Sequence, residues 1–257
     1  SDTGGSIRHP AAVCGTVGLK PTWGRVSRFG VMNLAQSLDH VGPLTRSSTD
    51  AGIVLQAISG LDPSDPTTLT HEVPDMLSAI AKGVKGLKIG WDEDYSTVGM
   101  EPSFAKAVAD GVKVMESLGA EIVPVKMPEI MREAMAAWPI ICSSEAAAAH
   151  ADTYPSRANE YGPFLREWLE NGNAHTATDY ANAHSLRLAM NGGLRITMRD
   201  IDVLTGPSTA KASYPVTSES LYGPIPSDRD PWDSRFTVPF DFSGLPTISL
   251  PCGLDNN

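Results

Sequence analysis

The segment from Leu87 to Val125 constrains the fold most. Leu87-Lys88-Ile89-Gly90-Trp91 reads as a strand. Ser103 then caps a helix in which Phe104, Val108, Val112, Met115 and Leu118 recur at helical spacing, and Gly119 suits its stop. Glu121-Ile122-Val123-Pro124-Val125 resumes as a strand, with Pro124 marking a sheet edge or a strand end. A strand–helix–strand unit of this length joins a parallel pair through a right-handed crossover. The chain is therefore α/β, and the apolar stripe of the helix is core packing rather than a ligand site. Ser47 or Ser48 caps a further helix carrying Ile53, Val54, Leu55 and Ile58 that stops near Gly60. Leu61 to Thr67 is a turn-rich connector and a candidate boundary. From Glu129 to about Arg199 the pattern is mainly helical, with breaks near Pro155, Gly162-Pro163 and Gly172. Ile201 to Thr205 and Thr247 to Leu250 read as buried strands, and Pro224 to Pro231 as a loop bordering a substrate pocket.

The chemistry-bearing stretch is Ser1-Asp2-Thr3-Gly4-Gly5-Ser6-Ile7-Arg8-His9-Pro10. Glycines let the backbone turn sharply and bring amides close to a ligand. Consecutive amides beside a serine hydroxyl can hold an oxyanion while that hydroxyl attacks a carbonyl. A Gly-Gly-Ser run is also an ordinary turn, and on these residues alone both readings stand. Asp2 and Arg8 flank the serine either as a pair shaping the loop or as a surface ion pair worth about 0–1 kcal/mol.

The neighbours separate the readings. Ala11 to Ser27 includes Cys14-Gly15-Thr16-Val17-Gly18-Leu19-Lys20-Pro21-Thr22-Trp23-Gly24-Arg25-Val26-Ser27, followed by Ser37-Leu38-Asp39-His40-Val41-Gly42-Pro43-Leu44-Thr45-Arg46-Ser47. With the opening run, these segments resemble the amidase signature family nearly residue for residue to about Gly60. A weaker resemblance continues through Ile201-Asp202-Val203-Leu204, Phe236-Thr237-Val238-Pro239 and Gly244 to Gly253. The resemblance implies a mixed β-sheet core covered by helices, with the helical stretch forming part of the acyl-side pocket. It implies a Ser-Ser-Lys amidase in which Ser6 is the nucleophile and the backbone amides of Thr3, Gly4, Gly5 and Ser6 form the oxyanion hole. Asp2 and Arg8 take a buried supporting role. The lysine base and the bridging serine, on a cis peptide, fall upstream of Ser1. The expectation is thus an internal fragment: one amidase-signature domain over 1–257, incomplete at both ends. It divides into a signature core (1–60), a βαβ and helical segment (71–200) and returning core strands (201–257). Lys20, in a structural part of the motif, is read as solvated or structural rather than as the base, and His9 is left out of the catalytic set.

Three functions follow. The first is hydrolysis of a carboxamide C–N bond through an acyl-enzyme on Ser6. The second is the glutaminase component of a tRNA-dependent amidotransferase, which hands ammonia to a partner subunit. In that branch Arg187 falls where the glutamine α-carboxylate is held. The matching aspartate is expected at Ser234; Asp233 is one position off, which in a strand points to the other face. The third is a catalytically silent polypeptide, lacking its base. The expected partners are a small-molecule amide and either a second copy or an amidotransferase partner.

Composition excludes other classes. A net charge of −10 and an acidic pI disfavour direct nucleic-acid binding. No apolar run is long enough to span a bilayer. Cys14, Cys142 and Cys252 form no C-x-x-C pattern and are expected to be reduced, buried thiols of a cytoplasmic enzyme. The six histidines show no metal-binding spacing, so neither metal nor cofactor is expected. Arg8 breaks the G-x-S-x-G elbow of an α/β-hydrolase.

Overall fold

The computed structural model describes residues 1–211, 218 and 231–253. The expected loop from Pro224 to Pro231 lies outside them except for its last residue.

The expected strand–helix–strand unit is present. Strand β3 (Lys88–Trp91) pairs in parallel with β4 (Glu121–Pro124), and α4 (Pro102–Ser117) crosses between them. Pro124 closes β4, which lies at the edge of the sheet, where its missing N–H costs no ladder bond. Strand β5 (Val203–Thr205) adds to the other side of β3, also in parallel. Val108 and Val112 of α4 are buried, whereas Leu118 is 61% exposed beyond the helix end. The helix starts one residue ahead of the expected cap. Pro102 occupies its first turn, because proline's fixed φ suits that place, and Glu101 rather than Ser103 is the N-cap.

The remaining strands form a second, antiparallel sheet in the order β2 (Leu44–Thr45), β1 (Val17–Lys20), β6 (Thr247–Ser249). The mixed α/β character thus resides in two three-stranded sheets. Helix α1 (Arg8–Cys14) packs on β1, and Ile7 and Ala11 are sealed between them. Ser47 caps α2 (Ser48–Ile58), its side chain accepting from the Asp50 N–H. This helix buries Ala51, Gly52 and Leu55, and leaves Ile53, Val54 and Ile58 exposed.

The short α3 (Glu93–Thr97) follows β3, and the long helices form the third body of the molecule. These are α5 (Met131–Ala149), α6 (Pro163–Ala174) and α7 (Ala177–Thr197). Helix α6 runs through Gly172, where a break was expected. A Cβ there would overlap the Ser143 carbonyl oxygen of α5, so the glycine permits close helix approach instead of ending the helix. Met131, Met135, Ile141, Met190 and Leu194 form the helical core, closed by Val238 and Phe242 of α8 (Val238–Ser243). Cys142 is buried in this core, where desolvation raises its thiol pKa, while Cys14 and Cys252 are exposed, contrary to expectation; all three are free.

Candidate active site

Asp2 anchors the loop that precedes α1. Its backbone forms a two-way bridge with His40, Asp2 N–H to His40 O at 2.8 Å and the reverse at 2.9 Å. Its carboxylate accepts from Gly5 N–H at 2.6 Å and Ile7 N–H at 3.0 Å, so the chain wraps around one side chain. Gly5 completes the turn at φ +137°, a conformation that L side chains rarely adopt. A Cβ there would also lie 2.7 Å from Thr237 Oγ1.

Four carbonyls of this loop accept hydrogen bonds, and three of them leave the next N–H unpartnered among the described residues. His40 N–H donates to Asp2 O, Trp138 Nε1–H to Thr3 O at 3.0 Å, and His9 N–H to Gly5 O at 2.7 Å. A trans peptide is planar, so fixing a carbonyl fixes the next N–H in the opposite direction. The N–H groups so aimed belong to Thr3, Gly4 and Ser6, and among the described residues none of the three has a hydrogen-bond partner. The fourth expected donor differs. Gly5 N–H is committed to Asp2 Oδ1, while the Gly4 carbonyl in the same peptide accepts from Thr237 Oγ1 at 2.6 Å. The serine side chain itself is exposed, and Thr3, Gly4, Gly5 and Ser6 together line a cavity of about 860 Å³.

Beneath the loop lies a buried charge cluster. Arg8 Nη2 donates to Asp2 Oδ1 at 2.9 Å and to Asp241 Oδ2 at 2.6 Å, and Nη1 donates to Thr237 O at 2.8 Å. Asp2, Arg8 and Asp241 are all inaccessible, so this is not a surface ion pair. Burial opposes the charge on Asp2, yet the hydrogen bond and charge of Arg8 hold its carboxyl well below the ordinary range. Arg8 is raised: burial opposes its charge, and Asp241 and Asp2 outweigh burial. Burial drives Asp241 well above the ordinary range, with Arg8 pulling it down and Asp2 pushing it further up. Lys20 Nζ donates to Leu245 O at 2.7 Å and to His40 Nε2 at 3.2 Å. That contact leaves the imidazole proton on Nδ1, which faces Asp241 Oδ1 at 3.5 Å. Burial, then the neighbouring Lys20 charge, lowers His40 to about 3.

Lys20 is therefore structural rather than solvated. Burial brings its pKa down to about 8, a value suited to a base, but it does not line the cavity. His9 does. Arg187 does not: Nε donates to Phe242 O at 2.9 Å, and Nη1 and Nη2 donate to Ser37 Oγ and O. It ties α7 to α8 and to the Ser37 loop, and the structure does not bring it to Ser6. Asp233 and Ser234 both line the cavity. The expected strand alternation does not apply, because Pro231–Ser234 is a 3₁₀ turn. Sequence reasoning missed the aromatic wall of Trp138, Phe164 and Trp168 and the pair Lys211–Asp233, whose signal lies in no local motif. Among the described residues, no three His, Cys, Asp or Glu side chains are grouped to hold a metal ion. No described helix is long and apolar enough to cross a membrane.

The protein-family model described as Amidase matches residues 1–257. A glutamyl-tRNA(Gln) amidotransferase subunit of Halalkalibacterium halodurans is 36% identical, over 100% of this chain and 57% of its own length. AmiD of Mycobacterium tuberculosis, a protein carrying an amidase name, is 40% identical over 98% of this chain and 52% of its own length. The crystal structure of the glutamyl-tRNA(Gln) amidotransferase subunit from Thermotoga maritima superposes with a TM-score of 0.81 at 30% identity, over 99% of this chain and 55% of that one. The chain thus spans about half the length of the relatives it matches.

Proposed function

The chain belongs to the amidase family, and on that premise we propose that it carries the nucleophile of an enzyme that hydrolyses a carboxamide C–N bond. Ser6 Oγ adds to the carbonyl carbon as its proton leaves, and the carbonyl π pair moves onto oxygen. The N–H groups of Thr3, Gly4 and Ser6 receive that negative charge. Collapse of the adduct breaks the C–N bond, the nitrogen takes up a proton and departs as ammonia or an amine, and an acyl ester remains on Ser6. Water then cleaves the ester. One observation carries this reading: an exposed serine stands in a cavity beside three pre-aimed N–H groups with no partner among the described residues. Donors fixed before the reaction cost no reorganisation when charge develops. Asp2 and Arg8 are positioning residues in this scheme, because they hold the turn without touching substrate. A serine hydroxyl is a weak nucleophile until a base takes its proton. The family resemblance assigns that step to a lysine acting through a bridging serine.

The test is Ser6→Ala in the full-length protein. Turnover of amides is expected to fall by about a thousandfold or more, with circular dichroism unchanged. The acyl-enzyme mass adduct trapped from the wild type should be absent. Retained turnover would overturn the reading.

A second reading has specific support. Relatives at 36–37% identity are named as subunits of glutamyl-tRNA(Gln) amidotransferase. Lys211 and Asp233 lie on the cavity lining as a cation and an anion 3.2 Å apart. A glutamine substrate would present a carboxylate and an ammonium to such a pair, and its ammonia would pass to a partner protein.

A further inference from the structure

Building on the Ser6 reading, we propose that Trp138, Phe164 and Trp168 form an aromatic slot for the acyl group, and that the substrates are amides of aryl-bearing carboxylic acids. Trp138 is fixed against the nucleophile loop. Its Nε1–H donates to Thr3 O, and its ring lies 2.7 Å from where a Cβ on Gly4 would stand. An acyl group bound there shares the cavity with Ser6. Trp168 continues the wall, with its ring centroid 5.7 Å from that of Trp138 at 46°. Phe164 stacks on Trp168 at 5.9 Å and 30°.

All three rings line the cavity and are only half-buried; Trp138 and Trp168 rest against the helical core on one side and keep the remaining apolar surface toward the cavity. Leu34, Met135 and Pro139 extend the same wall. A cavity of about 860 Å³ falls within the range usual for small-molecule sites. A flat ring entering it gains apolar transfer and also offset or edge-on stacking, which an alkyl chain does not. Met135 adds a sulfur suited to aromatic contact. Arg187 is committed to Ser37 and Phe242.

The experiment compares phenylacetamide, hexanamide and L-glutamine as substrates of the full-length protein. Phenylacetamide is expected to show a kcat/KM about tenfold or more above each of the others. Phe164→Ala should raise KM for phenylacetamide about tenfold with little change for hexanamide. Phe164→Leu keeps apolar volume without a ring, and should show most of the same loss if folding is intact. Binding to Ser6→Ala, followed by tryptophan fluorescence, tests the slot without the chemistry. Saturable quenching by phenylacetamide is expected, and Phe164→Ala on that background should weaken it. A preference for glutamine, equal use of aryl and alkyl amides, or quenching indifferent to Phe164 would overturn the proposal. Undiminished turnover by Ser6→Ala, with phenylacetamide still bound, would instead sink the nucleophile assignment and leave the slot standing.

Discussion

At the scale of single residues, the candidate site is held by charges that do not line the cavity. A chain of contacts runs from Leu245 O through Lys20, His40, Asp241 and Arg8 to Asp2, and Asp2 grips the amides of Gly5 and Ile7. Removing one partner of such a buried cluster leaves another charge uncompensated, which makes each member costly to lose. Lys20 gives this network a pH signature. Its folded pKa is depressed to about 8, whereas the unfolded lysine titrates near its ordinary value of 10.5. Between those values the unfolded chain binds one proton more, so Lys20 contributes stability that rises with pH by about 1.4 kcal/mol per unit. That contribution is complete above the unfolded pKa and is lost as pH falls through 8. Urea titrations from pH 8 to 9.5 should show this slope as the difference between wild type and Lys20→Met. Burial raises Cys142, Tyr95 and Tyr180, and these contribute the opposite sign above their ordinary values. They are common to both proteins and cancel in the difference. Equal pH profiles for the two would exclude this account. None of this network was legible in the sequence except the Asp2–Arg8 pair, six residues apart. His40 and Asp241 are ordinary residues until the fold buries them together.

At the scale of elements, local signals identified type well and ends less well. Periodicity announced α4 and the two strands it joins, since a parallel pair requires a crossover. The starting residue failed at Ser103, because a serine with cap chemistry sat one place inside a helix that Pro102 had already begun. Gly172 misled more deeply. Glycine disfavours helix interiors on backbone entropy, but here it is what lets α6 lie against the Ser143 carbonyl of α5. That contact is also what brings Phe164 and Trp168 toward Trp138. Gly172→Ala should therefore destabilise by about 2–3 kcal/mol, since the obstacle is backbone and cannot swing aside. It should also weaken the phenylacetamide-dependent fluorescence change by separating the two helices. Chemical denaturation checks the first effect, and an alanine variant of unchanged midpoint would contradict it.

At the scale of the whole molecule, the candidate site joins distant parts of the chain. Arg8 meets Thr237 and Asp241, Thr237 meets Gly4, and β6 pairs with β1. Truncation before Pro231 would remove Thr237, Asp241 and β6, leave Arg8 facing Asp2 alone, and expose the edge of β1. The shortened protein should lose cooperative unfolding in a thermal scan, and amides of the Gly4–Arg8 loop should exchange freely. A sharp transition in the truncated protein would show that the loop stands without its distant supports. Local sequence was enough for the turn from Asp2 to Arg8 and the α/β class, because both rest on contacts a few residues apart. A carboxylate wrapped by the amides just after it, a glycine at positive φ and an apolar stripe at helical spacing are local properties. Long-range packing alone settled which N–H groups stay unpartnered, where Arg187 is spent, and that three aromatic rings line the cavity that holds Ser6. Those outcomes depend on side chains more than a hundred residues apart competing for the same partners, and no short stretch of chain records who wins.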